Sequence, residues 1–275
     1  MVVRPSAQGP VVVGIDGSKH AVRAAVWAVT EAIARKVPLR LACVINADAK
    51  HLGDEFDFAE KALHEAWVAV ESTGEPVKVE SVILQGDAAE QLVKASCEAA
   101  MVCVGSRGVG GSKGGAHGST AAALAQSASS PVAIVRRRHS QQPLPNDRWI
   151  IAALEDSPAA SLVLQTAMDE ASLRGGPVLA LVRSHNEADN YDNVRATLEE
   201  YLADTEDDTA DIQMCALPVA DHISTVLAES AAIDQLVVVD SSDPTFVADV
   251  VGPDARKFLR HTNCSVLILR RKSGE

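Results

Sequence analysis

Near-continuous apolar runs at 11–15, 39–45, 79–84, 101–104 and 132–135 alternate with stretches of helical periodicity at about 18–36, 55–73, 87–99 and 118–128. Runs that are apolar on both faces suit strands covered by helices on both sides, so the first half of the chain predicts a parallel α/β sheet. Ser119 and Thr120 supply polar residues at the start of the last of these helices. The second half predicts strands near 150–154, 178–182, 211–217, 236–240 and 265–270, with a helical stretch over 158–174.

The two halves read as copies. Val11-Val-Val-Gly-Ile-Asp-Gly-Ser18 parallels Ile150-Ile-Ala-Ala-Leu-Glu-Asp-Ser157, and Met101-Val-Cys-Val-Gly105 parallels Leu236-Val-Val-Val-Asp240. Pro131-Val-Ala-Ile-Val-Arg-Arg137 likewise parallels Ser265-Val-Leu-Ile-Leu-Arg-Arg271. The offset drifts from 139 residues (16 to 155) to 134 (131 to 265), as a few loop deletions would produce. A tandem duplication follows, with modules at 1–138 and 148–275. The polar, proline-containing stretch 139–147 reads as their linker. In open sheets of this kind a ligand sits beyond the carboxyl ends of the strands, the edge where Asp16 and Gly105 fall.

Composition narrows the function classes. At 275 residues, 47% hydrophobic and 23% charged, the chain is expected to fold as a globular protein of one or two domains. It has no apolar run of about 18 residues and no basic-then-apolar start, so no membrane association is expected, and a cytoplasmic location is. Five scattered cysteines, Cys43, Cys97, Cys103, Cys215 and Cys264, fit reduced thiols better than a disulfide framework or zinc site. The net charge is −12, of which residues 1–138 contribute +1 and residues 139–275 contribute −13. An acidic second half and 3% aromatic residues argue against nucleic acid as a partner.

The densest chemical signal is Gly105-Ser-Arg-Gly-Val-Gly-Gly-Ser-Lys-Gly-Gly-Ala-His-Gly-Ser119, seven glycines in fifteen residues between a strand and a helix. Glycine lets successive backbone N–H groups turn inward as an anion nest, and the helix that follows adds its positive end, so phosphate is the natural guest. Arg107 and Lys113 add charge, and Ser106, Ser112, Ser119 and Thr120 add hydroxyls. A Walker A loop is excluded because no glycine is followed directly by lysine, and a G-x-G-x-x-G loop fails at Lys113. The spacing that fits is G-x2-G-x9-G-[S/T], with Gly105, Gly108, Gly118 and Ser119 in register.

This spacing resembles the ATP-binding signature of the universal stress protein family, and the resemblance covers nearly the whole chain as two tandem copies. It implies two α/β modules, each a five-stranded parallel sheet with helices on both faces, adenine nucleotide alpha hydrolase-like, in strand order 3-2-1-4-5. It implies ATP as ligand, with or without Mg2+. Asp16, after Gly14, would approach the adenosine, and the backbone of Val44 would meet the adenine edge. Gly105, Ser106, Arg107, Gly108, Val109, Gly110 and Gly111 would hold the phosphates from one side, and Gly118, Ser119 and Thr120 from the other. Packing of the two modules as a pseudo-dimer through their last strands, 132–135 and 265–270, and a further pairing of two chains through module edge strands are also implied.

The second half departs from the signature. Gly14, Asp16, Gly105 and Gly108 become Ala153, Glu155, Asp240 and Asp243, and Ser119 becomes Pro253, although Gly118 survives as Gly252. Carboxylates at the phosphate positions would repel an ATP of up to about four negative charges unless a cation bridges them, so an empty or repurposed second site is expected. His117 and the acidic run Glu206–Asp211 read as solvated loop residues, and Trp27, Trp67 and Trp149 as packing residues. No Ser/His/Asp order or metal-ligand cluster marks an enzyme. The leading expectation is a regulatory protein that acts by binding ATP. The alternatives are a slow ATPase or phosphotransferase in the same pocket, or a nucleotide-free or cyclic-AMP-binding scaffold for an unidentified protein partner.

Overall fold

In the computed structural model, residues 9–108, 119–136, 148–154, 159–183, 213–219, 234–241 and 264–270 are described. The chain divides into two compact units, one built mainly from Val3–Arg137 and the other mainly from Arg138–Val250 with Asp254–Leu269.

The first unit winds as β1 (Val11–Ile15), α1 (Lys19–Arg35), β2 (Leu39–Ile45), α2 (Leu52–Glu71), β3 (Val79–Gln85), α3 (Ala88–Ser96), β4 (Met101–Gly105), α4 (Ser119–Ser127) and β5 (Val132–Val135). Its strands lie in the order β3-β2-β1-β4-β5, and every adjacent pair is parallel. The central runs are buried on both sides: Val11, Val13, Leu39, Leu41, Met101, Val102 and Cys103 have no more than 1% of their surface exposed. The run at 79–84 is not, because β3 is an outer strand; its residues are half-buried and Ser81 is exposed. α1 and α2 pack together, α1 on β1 and β4 and α2 on β2, whereas α3 pairs with α4 and lies over β1, β2 and β4. Side chains alternate between faces along each strand, so neighbouring residues such as Val104 and Gly105 serve different helices.

Local chemistry sets the helix ends. Ser18 caps α1 by accepting a hydrogen bond from Ala21 N–H at 3.1 Å, and Asp87 caps α3 by accepting from Glu90 N–H at 3.0 Å. α1 buries Ala21, Ala24, Ala25, Ala28 and Ala32, small residues that let it lie close to the sheet. α2 begins at Leu52, ahead of the residue expected from periodicity. His51 caps it without a side-chain hydrogen bond, and Leu52 is exposed, so neither signal was available in the pattern.

The second unit contains β6 (Arg148–Leu154), α5 (Ala160–Arg174), β7 (Val178–Arg183), β8 (Met214–Val219), β9 (Asp234–Asp240) and β10 (Cys264–Leu269). Its parallel order is β8-β7-β6-β9-β10, the same winding as the first unit. The predicted 211–217 strand extends instead to Val219, through Pro218, which an outer strand tolerates because one side of its backbone has no partner strand. Connecting hydrogen bonds recur in the two units. Val11 N donates to Pro38 O at 2.9 Å as Ile150 N does to Pro177 O at 2.9 Å. Leu39 N donates to Lys78 O at 2.8 Å as Val178 N does to Gln213 O at 2.8 Å.

One shared feature was not read from the sequence. Glu31 of α1 is fully buried and paired with Arg35, and Glu170 of α5 is fully buried and paired with Arg174 at 2.9 Å. A fully buried carboxylate needs such a partner, because its desolvation is otherwise uncompensated. The signal was present as Glu-x3-Arg at matching places in both halves.

Candidate functional site

The carboxyl ends of β1, β2 and β4 meet in a cleft of about 90 Å3. Gly14, Asp16, Val44, Gly105, Arg107, Gly108 and Thr120, named from the sequence, line it together with the apolar side chains of Ala42, Leu92 and Val104. Ser106 and Ser119 do not line it. Ser106 is buried with its N–H donated to Val135 O at 3.0 Å, and Ser119 is the exposed first residue of α4. Val109, Gly110, Gly111 and Gly118, along with Ser112, Lys113 and His117, lie outside the described residues.

The turn after β1 builds one wall. Asp16 Oδ1 accepts from Ser18 N–H at 3.0 Å, and Gly17 adopts φ +78°, where a side chain would be strained and would press on the Phe58 ring at 3.0 Å. The Ser18 hydroxyl donates to Arg107 O at 3.3 Å, which ties the α1 cap to the loop leaving β4. A Cβ on Gly108 would lie 2.6 Å from Asp16 Oδ2, so the loop passes directly over this carboxylate. Arg107 is exposed beside it.

The other two glycines serve different neighbours. A Cβ on Gly105 would lie 2.6 Å from the His20 carbonyl carbon and 2.9 Å from Ala21 N, so the end of β4 runs against the backbone of α1. A Cβ on Gly14 would meet Leu92 Cδ1 at 2.9 Å and Val104 Cγ1 at 3.2 Å, so this glycine admits α3 on the opposite face. On the β2 side, Cys43 is buried with its thiol pushed up to about 11, first by desolvation and then by the negative charges of Asp16 and Glu55. Cys43 is therefore an inert thiol beneath the site. Among the described residues no group of three or more His, Cys, Asp or Glu is placed to hold a metal ion.

In the second unit β9 ends in Asp240, paired in register with Leu269 as Gly105 is with Val135. Ser241 N donates to Leu269 O at 3.1 Å, matching Ser106 N to Val135 O. The loop after β9 thus starts from the same geometry with a buried carboxylate where the first unit has glycine. Glu155, Asp243, Gly252 and Pro253 lie outside the described residues.

Comparison with known proteins places this architecture. The universal stress protein family matches residues 9–136. Universal stress protein Rv2624c of Mycobacterium tuberculosis is 38% identical over 265 residues, covering 95% of this chain and 96% of its own. The chain belongs to the universal stress protein family. Rv2028c, another universal stress protein of that organism, is 39% identical over 267 residues and covers 94% of this chain and 95% of its own. A solved universal stress protein from Archaeoglobus fulgidus shares the fold at TM-score 0.71 over 98% of both chains, with 17% identity. Tandem length is therefore common to this universal stress protein and its relatives, and membership supports a role in stress response. No helix among the described residues is long and apolar enough to cross a membrane.

Proposed function

We propose that this universal stress protein binds ATP at the strand ends of its first unit and acts in the stress response as a nucleotide-controlled regulator. The observation that carries the reading is the convergence of Asp16, Arg107, Gly108 and Thr120 on one cleft whose floor is apolar. The cleft volume of about 90 Å3 falls below the roughly 300–1,000 Å3 that encloses a whole ligand, so the described walls suit part of a nucleotide. The base and ribose would lie over Val44 and Ala42, beside Asp16, and the phosphates would extend outward past Gly108 and Arg107 toward the start of α4. Arg107 contributes charge and Thr120 a hydroxyl. Mg2+ accompanying ATP would draw on the phosphates and water, with Asp16 as the one carboxylate among the described cleft residues.

In this reading the site acts by binding and conformational response. ATP shifts an equilibrium by its differential affinity for two states, and here the element it would bias is the β4–α4 connection tied to the α1 cap by Ser18. Self-association through module edge strands belongs to the same proposal and is read by sedimentation with and without ATP.

Thermal unfolding in ATP, in cyclic AMP and in buffer tests the reading, with phosphate release measured in parallel. Native-state binding at 100 times Kd adds about 2.7 kcal/mol of stability. A rise in Tm with ATP that is lost in Asp16→Ala, with turnover slower than about one per minute, is expected. An unchanged Tm at millimolar ATP would refute nucleotide binding, and fast phosphate release would make the protein an enzyme.

A further inference from the structure

A larger groove, about 340 Å3, lies away from the cleft, between α2 and β3. Leu63 and Trp67 of α2 form its apolar wall, Ser81, Val82 and Ile83 of β3 its other side, and Glu60 and His64 its rim. Leu63 is buried, Trp67 is half-buried, and Ser81 is exposed. β3 is the outermost strand of its unit and pairs only with β2 among the described strands, so its other side presents backbone donors and acceptors without a neighbouring strand.

Two further observations say what fits there. First, the groove is acidic. α2 carries Asp54, Glu55, Asp57, Glu60, Glu65 and Glu71 against one lysine, Lys61. Glu71 lies four residues beyond Trp67 and Asp57 three before Glu60, spacings that put these exposed acids on the helix side that lines the groove. The cations beside β3, Lys78 just ahead of it and Arg40 of β2, are both engaged by Glu80, at 2.8 and 2.9 Å. Second, the edge lacks a proline that its duplicate has. Outer strands are usually guarded by proline, bulges or inward charges. Ile83 pairs with Cys43, and the matching position in the second unit, paired with Val182, is Pro218. The second unit thus blunts this edge with proline, and the first presents Ser81-Val-Ile-Leu84.

From this we propose, independently of the nucleotide reading, that the α2–β3 groove is a docking site for an extended segment of a partner protein. The segment adds as a strand beside β3 with two alternate apolar side chains toward Leu63 and Trp67 and basic residues at both ends. Glu71 lies eleven helical steps beyond Glu60, roughly 16 Å, which about five extended residues span. A second copy of this chain is disfavoured as occupant, because the two acidic rims would face each other.

The test uses the full chain and a capped peptide, Lys-Arg-Ser-Ile-Ser-Val-Ser-Arg-Lys, with a control in which glutamate replaces every Lys and Arg. Calorimetric titration should give saturable one-to-one binding of the basic peptide and none of the control. Amide shifts should concentrate at Ser81, Val82 and Ile83. The exposed double variant Glu60→Lys/Glu71→Lys should weaken the basic peptide at least tenfold and gain binding of the acidic control, and Trp67→Ala should also weaken the basic peptide at least tenfold. The proposal is overturned by no saturation at millimolar peptide, by equal affinity for both peptides, by no effect of the charge-reversed variant, or by shifts away from β3. Self-association of the chain that Trp67→Ala abolishes would assign the groove to a second copy and overturn it too.

Discussion

Replacing Gly105 and Gly108 by alanine, one at a time, separates what the two glycines do. At Gly105 the new methyl would stand 2.6 Å from the His20 carbonyl carbon and 2.9 Å from Ala21 N. Carbon atoms rest at about 3.5–4 Å, so the deficit is on the order of 1 Å against helix backbone, which no rotamer change relieves. α1 must shift, and overpacking of this kind costs about 1–3 kcal/mol, a fall in Tm on the order of 5 °C. At Gly108 the methyl would meet one atom closely, Asp16 Oδ2 at 2.6 Å, with Asp16 Cγ next at 3.8 Å. A carboxylate can turn, but Asp16 Oδ1 accepts from Ser18 N–H at 3.0 Å, so turning weakens a hydrogen bond whose net worth is roughly 1 kcal/mol. Gly108→Ala should therefore leave Tm within about 2–3 °C of the parent and lower ATP affinity about tenfold, because it displaces a cleft side chain without moving a helix. Calorimetric unfolding of the unliganded proteins, followed by ATP titration of each, reads both numbers. A neutral Gly105→Ala, or a Gly108→Ala as destabilising as Gly105→Ala, would refute the reasoning.

Three other outcomes follow from the structure. Glu31→Ala and Glu170→Ala should each cost about 3 kcal/mol in denaturant titrations, because each leaves a largely buried arginine without its carboxylate. With a thiol reagent at pH 8, Cys97 and Cys215 should react first and the buried Cys43, Cys103 and Cys264 only on unfolding. Cys43 titrates at about 11 rather than 9.0, so its contribution to stability is whole below pH 9 and is lost as pH rises toward 11. Equal labelling of all five at pH 8 would contradict this. Glu80 is held below the ordinary glutamate range by hydrogen bonds from Lys78 and then Arg40, so its contribution is present above the unfolded value and lost as pH falls through the folded one. The pair is partly exposed, and Glu80→Gln should cost less than about 1 kcal/mol, the difference shrinking in high salt.

The pattern of apolar runs sufficed for the parallel α/β class and the strand positions, because central parallel strands are buried on both faces and leave no alternation to misread, whereas the strand order rested on the family resemblance. Val11–Ile15 and Met101–Gly105 were found on that basis, as was the duplication. α2 was placed late because its first turn carries Leu52 exposed and no capping side chain. At the cleft, strand-end residues such as Asp16 and Gly105 were legible because strand ends follow from the runs. The apolar floor was not: Leu92 reaches the cleft only because Gly14 leaves room for it, a contact between elements far apart in sequence. Ser106 carried the chemistry of a phosphate ligand, but its N–H is donated to Val135 of β5 and its side chain is buried. The groove beside β3 was invisible for a related reason, since the meeting of Trp67 of α2 with Ile83 of β3 on one groove is a contact between elements that the apolar runs do not pair.

The central claim is a single nucleotide site in the first unit of a tandem universal stress protein. Denaturing the purified protein after loading with ATP and desalting, then identifying and counting the released nucleotide by mass, tests it most directly. One ATP per chain is predicted, retained in Asp240→Gly and lost in Gly108→Asp, which copies the second unit's carboxylate into the first. Two per chain, or one that survives Gly108→Asp, would contradict the account, and none from any of the three proteins would remove ATP from it.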